Sequence, residues 1–125
     1  MTAQKRVILV DDNQRVRQSL SVLFDLLPDW LVVGEAANGQ EALELCAQLE
    51  PDVVIMDLLM PVMDGTTATR HIRQQFPAIK VVVLTSTPVD ADIEAAVEAG
   101  ADAILRKSGS ISQIEAILRQ TVGMD

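Results

Sequence analysis

The chain has 125 residues, 49% of them hydrophobic, which suits one domain over residues 1–125 and leaves no room for a second. The formal net charge is −8 and the 10 Lys and Arg residues are scattered, which argues against direct nucleic acid binding. The single cysteine excludes an internal disulfide and a cysteine-based zinc cluster. No apolar run approaches the roughly 20 residues that span a bilayer, so we expect a soluble, cytoplasmic protein with no membrane partner.

Five short, mostly apolar runs are predicted to be β-strands. They cover residues 7–10, 31–34, 53–56, 80–84 and 103–106, and most are bounded by Asp, Gly or Pro. The third run, and the fourth from Val81 onward, are continuously apolar, as parallel strands covered on both faces require. These runs therefore predict a sheet buried between two layers.

Apolar residues with helical spacing fill the segments between these runs. They are Val16, Leu20, Leu23 and Leu27 before Pro28, then Ala42, Leu45 and Leu49, then Ala68, Ile72 and Phe76, and finally Ile111, Ile114 and Leu118. A further helix is predicted from Thr87 as its N-cap, Pro88 in its first turn, and Gly100 at its end.

Strand and helix thus alternate five times, which predicts an α/β fold with a parallel sheet and helices on both faces. The common arrangement for such a chain is the flavodoxin-like, three-layer (βα)5 domain with strand order 2-1-3-4-5. The strand order reverses between strands 1 and 3, and ligands bind beyond the carboxyl ends of those strands.

Charged and hydroxyl side chains follow four of the five strands. They are Asp11 and Asp12 after strand 1, Asp57 after strand 3, Thr85 and Ser86 after strand 4, and Lys107 after strand 5. Three carboxylates in one crevice repel each other, and a divalent cation would relieve the repulsion. Oxygen ligands favour Mg²⁺, or else Mn²⁺, over zinc, because neither Cys46 nor His71 lies at a strand end.

Such a crevice is suited to phosphoryl transfer onto a carboxylate. Asp57 would attack phosphorus, while Lys107 and the Thr85 hydroxyl would contact the phosphoryl oxygens. The Met-Pro and Met-Asp-Gly turn after Asp57 is expected to leave that carboxylate open to solvent.

Several of these segments together resemble the response-regulator receiver family. The motifs are Val10-Asp11-Asp12, the run from Asp57 to Gly65, Leu84-Thr85-Ser86 and Arg106-Lys107, and the similarity extends over essentially the whole chain. Residues 81–86 and 100–105 look most like receivers that precede LuxR-type helix-turn-helix domains.

The resemblance implies a two-component signalling switch. It implies that Asp57 is the phosphoacceptor and that Asp11, Asp12 and the Leu59 backbone carbonyl bind the metal with it. It also implies that Thr85, with Ser86 beside it, is the switch hydroxyl. Lys107 would bind phosphate. A sensor histidine kinase is the implied partner, and a homodimer is left open. The chain would catalyse only its own phosphorylation and dephosphorylation. The face formed by helix 4, strand 5 and helix 5 would control an output. That output is expected to be transcription through a DNA-binding domain absent from this chain.

Two positions depart from the family pattern. The family usually has Tyr or Phe three residues before the lysine, where this chain has Ile104, and many relatives have Pro after the lysine, where it has Ser108. Ile104 motivates an alternative function, a phosphorylation-independent dimerisation or docking module. A phosphatase with an aspartyl nucleophile is a further alternative, although such enzymes normally need a second acid where Leu59 stands.

Overall fold

The computed structural model describes residues 3–124, so residues 1, 2 and 125 of the predicted domain lie outside the described part. Within residues 3–124, five strands alternate with five helices. The strands are β1 (Lys5–Val10), β2 (Trp30–Ala36), β3 (Val53–Met56), β4 (Lys80–Thr85) and β5 (Ala103–Arg106). The helices are α1 (Gln14–Asp25), α2 (Gly39–Leu49), α3 (Gly65–Gln75), α4 (Asp90–Glu98) and α5 (Ile111–Thr121).

The strands form one parallel sheet in the order β2-β1-β3-β4-β5, which confirms the predicted flavodoxin-like topology. Val10 at the end of β1 pairs with Met56 at the end of β3, so the residues that follow both strands leave the sheet side by side. Thr85 at the end of β4 likewise pairs with Arg106 at the end of β5. The carboxyl ends of β1, β3, β4 and β5 therefore lie next to each other on the same side of the sheet.

Helices cover both faces of this sheet, and each face has its own apolar core. Cys46, Ile72 and Ala96 of α2, α3 and α4 pack in one core, while Phe24 and Leu118 of α1 and α5 pack in the other. β3 is buried along its whole length, as its continuously apolar sequence predicted. Within residues 3–124, no helix has the length and apolar character needed to cross a membrane.

Three helix ends differ from their predictions. The smallest difference is at α3, which ends at Gln75 and has Phe76 as its C-cap. Helix α1 ends at Asp25, so Leu27 lies beyond it, although Leu27 still packs against the α1 and α5 core. Thr87 is not the N-cap of α4, because Val89 takes that position without a side-chain hydrogen bond. The Thr87 hydroxyl instead donates to Asp92 and accepts the Val89 N–H, so it organises the turn before the helix.

Candidate functional site

Three carboxylates from the predicted set meet at the ends of β1 and β3. Asp11, Asp12 and Asp57 each offer an oxygen that lies within 4.8 Å of the other two. Asp11 and Asp57 are buried, at 3% and 7% exposure, whereas Asp12 is exposed. The expectation that the Asp57 carboxylate lies open to solvent is therefore wrong. The carboxylate contacts the Leu58 N–H and the Lys107 ammonium, and the turn after β3 closes on itself through a hydrogen bond from the Gly65 N–H to the Leu58 carbonyl.

Asp11 is held by hydrogen bonds on every side. Its N–H donates to the Ala36 carbonyl at 3.1 Å, and its carboxylate accepts the Asn13 N–H at 2.9 Å. The Arg17 guanidinium donates to the Asp11 carbonyl and also to Glu35 at 3.1 Å. The β1–α1 turn is thus tied to the edge strand β2, which fixes the direction of the Asp11 side chain.

The turn around Asp57 depends on close backbone contacts. The Asp57 N–H donates to the Val10 carbonyl at 3.0 Å, and the Leu58 N–H donates to Asp57 Oδ1 at 2.8 Å. At Gly65 an added Cβ would lie 1.9 Å from the Asp57 carbonyl oxygen. The first residue of α3 must therefore be glycine, which is the function of the Met-Asp-Gly motif here.

Lys107 provides the positive charge of the crevice. Its Nζ lies 2.7 Å from Asp11 Oδ2 and 3.2 Å from Asp57 Oδ2, and its backbone N–H donates to the Thr85 carbonyl at 3.0 Å. Burial acts to lower the pKa of Lys107, but its contacts with Asp11 and Asp57 outweigh burial and raise that pKa. The ammonium is therefore fixed in its charged form between two carboxylates.

One ammonium does not balance the charge of three carboxylates, and the pKa of Asp57 is shifted in part for this reason. Burial, followed by the charge of Asp11, raises the pKa of Asp57 above its ordinary value, although Lys107 and the Leu58 N–H act to lower it. A crevice with oxygen donors and excess negative charge fits a hard divalent cation. Asp11, Asp12 and Asp57 are the side chains that could hold one.

The remaining predicted residues lie around this cluster. Thr85 is buried at the end of β4, beside the strand that carries Asp57, and its Oγ1 accepts the Thr87 N–H at 3.2 Å. Ser86 is exposed, and the Leu59 side chain is 59% exposed. Ile104 packs against the core on the α2, α3 and α4 face.

Sequence reasoning missed two residues that shape the crevice. Arg17 and Glu35 are 18 positions apart, and no spacing rule connects them. Glu35 lies in β2 and Arg17 lies on α1, so the available signal was an acidic residue and a basic residue on consecutive elements of the chain. The other missed contact joins Arg106 to the Thr87 carbonyl at 2.6 Å.

Comparisons with known proteins indicate one family for this chain. Residues 7–119 match the family described as the response regulator receiver domain. The response regulator protein VraR of Staphylococcus saprophyticus is 40% identical over 116 residues, which are 93% of this chain and 56% of that protein. The chain thus spans about half the length of the curated relatives it matches.

Solved structures give the same result. The signal receiver domain of NarL from Mycobacterium tuberculosis superimposes with a TM-score of 0.90 at 30% identity, covering 98% of this chain and 99% of that one. A LuxR-family two-component response regulator from Aurantimonas superimposes with a TM-score of 0.87 at 36% identity, covering 98% of this chain and 88% of that one. The chain belongs to the response regulator receiver family, and its predicted likeness to LuxR-family receivers is confirmed.

Proposed function

We propose that this chain is a cytoplasmic receiver that accepts a phosphoryl group on Asp57 from a sensor histidine kinase, with Mg²⁺, or Mn²⁺ in its place, as the cation. The observation that carries the proposal is the convergence of Asp11, Asp12 and Asp57 within 4.8 Å, with Lys107 bound to two of them. Asp11, Asp12, Asp57 and the Leu59 backbone carbonyl would hold the ion. When bound, it would neutralise charge on the phosphoryl oxygens.

Asp57 acts as the nucleophile. One of its carboxylate oxygens forms the new bond to phosphorus while the phosphorus–nitrogen bond of the kinase phosphohistidine breaks, and the imidazole leaves with that electron pair. The Leu58 N–H on Oδ1 and the Lys107 ammonium on Oδ2 hold the carboxylate in one orientation. The burial that excludes bulk water also strengthens these contacts.

Lys107 and the hydroxyls of Thr85 and Ser86 then bind the transferred group. The Lys107 ammonium contacts a phosphoryl oxygen, Thr85 donates its hydroxyl proton to another, and Ser86 lies beside it at the same strand end. We propose that this rearrangement alters the face formed by α4, β5 and α5. The output is transcription through a DNA-binding domain, an inference supported by the likeness to a LuxR-family response regulator and by the greater length of VraR.

This chain is not a conventional enzyme in this proposal, since it acts only on its own phosphoryl group. The alternative of an aspartyl-nucleophile phosphatase lacks its second acid, because Leu59 presents an apolar, 59% exposed side chain at that position. The alternative of a phosphorylation-independent docking module, which could include a homodimer, rests on Ile104 in the place of an aromatic residue.

Incubation with acetyl phosphate and Mg²⁺ tests the proposal. Intact-protein mass spectrometry should find one added phosphoryl group on the wild type and on Asp25→Asn, an exposed acid on α1. Asp57→Asn, or chelation of the cation, should abolish the addition. An unmodified wild type would overturn the proposal, and turnover of a phosphate ester would favour the phosphatase.

A further inference from the structure

Thr87, in the turn between β4 and α4, is joined to three other parts of the molecule although it is only 2% exposed. Its N–H donates to Thr85 Oγ1 at 3.2 Å, and its hydroxyl donates to Asp92 Oδ2 at 2.9 Å. Its carbonyl accepts a hydrogen bond from the Arg106 guanidinium at 2.6 Å. One buried residue thus connects the switch hydroxyl, helix α4 and strand β5.

We propose that Thr87, Arg106 and Asp92 form a hydrogen-bonded relay that carries the state of the phosphoacceptor site to α4 and β5. This inference rests on the proposed function and describes how that site is read. The family usually has an aromatic residue at the position of Ile104, and the relay supplies the coupling that this chain lacks there.

The position of Arg106 on the sheet suits this role. Side chains alternate between the two faces of a strand, and Ala103 and Leu105 pack on the α1 and α5 face. Ile104 packs on the opposite face, so Arg106, two residues later, points to the same side as Ile104. Arg106 also pairs with Thr85 in the sheet, which places its guanidinium beside the turn that Thr85 begins.

The relay follows from the hydrogen-bonding capacity of Thr85. Its hydroxyl accepts the Thr87 N–H, and in the proposed mechanism it turns to donate its proton to a phosphoryl oxygen on Asp57. Because Thr87 is buried, its N–H must follow the moving oxygen or lose its acceptor, which is unfavourable. The Thr87 carbonyl and hydroxyl move with it, and so the bonds to Arg106 and Asp92 are changed.

An arginine is well suited to respond to such a movement. Arg106 is exposed, and the Thr87 carbonyl is its guanidinium's one hydrogen-bond partner within residues 3–124. When the carbonyl shifts, the guanidinium either follows it or is released into water at little cost, because a charged group is well hydrated. The two arrangements place a positive charge differently on the surface of α4 and β5, where a partner could distinguish them.

Amide chemical shifts of the ¹⁵N-labelled chain test the relay, with Mg²⁺ and the phosphomimetic BeF₃⁻ added to occupy the site. The Leu58 amide, which contacts Asp57, reports occupancy, while the amides of α4 and Ile104 report transmission. In Arg106→Gln we expect the Leu58 response of the wild type and loss of the α4 and Ile104 response. Arg106→Lys keeps a charged donor and should retain part of the α4 and Ile104 response. Asp92→Ala removes the acceptor of the Thr87 hydroxyl and should therefore lose the α4 response.

Arg70→Gln is the matched control, because Arg70 is an exposed arginine on α3 away from this turn. It should respond like the wild type at every amide. A wild-type α4 and Ile104 response in both Arg106→Gln and Asp92→Ala would overturn the relay. Absence of any Leu58 response in the wild type would instead count against the proposed function itself, so the two failures are distinct.

Discussion

The Lys107 ammonium lies 3.2 Å from Asp57 Oδ2, although 50 positions separate the two residues in the chain. The same ammonium lies 2.7 Å from Asp11 Oδ2. A lysine that contacts two buried carboxylates leaves the crevice with surplus negative charge once Asp12 is included. This surplus charge lowers the stability of the folded chain, and it is consistent with the divalent cation and the phosphoryl group that we propose for the crevice.

The raised pKa of Asp57 gives a pH dependence that can be measured without divalent cations. Above about pH 4 the unfolded chain loses this proton first, while the folded chain retains it up to its higher pKa. The free energy of unfolding should therefore fall as pH rises through that window, and the loss is complete above the folded-state pKa. Urea unfolding in EDTA at a series of pH values measures this contribution.

In Asp57→Asn this contribution to the pH dependence should disappear, and the variant should be more stable than the wild type at pH 7. Asp25→Asn, which changes an exposed acid on α1, should keep the wild-type pH profile. If the free energies of unfolding of Asp57→Asn and the wild type depend on pH in the same way, the crevice does not raise the pKa of Asp57.

Mg²⁺ should stabilise the folded chain, because the unfolded chain does not bring the three aspartates together. At one hundred times its dissociation constant, Mg²⁺ would raise the free energy of unfolding by about 2.7 kcal/mol. Thermal unfolding with and without Mg²⁺ measures this gain. Asp12→Asn should remove most of it, while Asp25→Asn should not, and equal gains in both variants would show that the ion binds elsewhere.

Gly65→Ala should destabilise the protein severely. The new Cβ would lie 1.9 Å from the Asp57 carbonyl oxygen, so the turn that carries Asp57 must shift. We expect a loss of about 3 kcal/mol or more in the free energy of unfolding, measured in urea. Gly109→Ala, whose nearest contacts would be 3.2 Å away, should lose about 1 kcal/mol or less. Similar losses in the two variants would contradict this steric argument.

Val62 holds a strained backbone conformation beside the site. Its φ is 69°, which a β-branched residue rarely adopts, and its side chain is 83% exposed and therefore gains little from packing. Val62→Asn should raise the free energy of unfolding by about 1 kcal/mol, because Asn tolerates this region. Val22→Asn, at a 62% exposed helical valine, is the control and should give no such gain in the same urea experiment.

Much of the fold could be predicted because buried parallel strands require a distinctive sequence. The run from Val53 to Met56 is continuously apolar, and it forms a strand with those same limits. Thr87 illustrates the opposite case. A threonine before a proline fits the pattern of an N-cap, but its hydroxyl is used by Asp92 and Val89, and only the packed turn determines that choice.

The sequence by itself determined the alternation of strands and helices, and it put Asp11, Asp12, Asp57 and Lys107 at strand ends. This was readable because burial and side-chain alternation act over a few neighbouring residues. Only the tertiary structure decided that Asp57 is buried, that Arg17 joins Asp11 to Glu35, and that Arg106 reaches Thr87. Those contacts depend on how the helices and strands pack, and local sequence patterns do not specify which distant side chains meet.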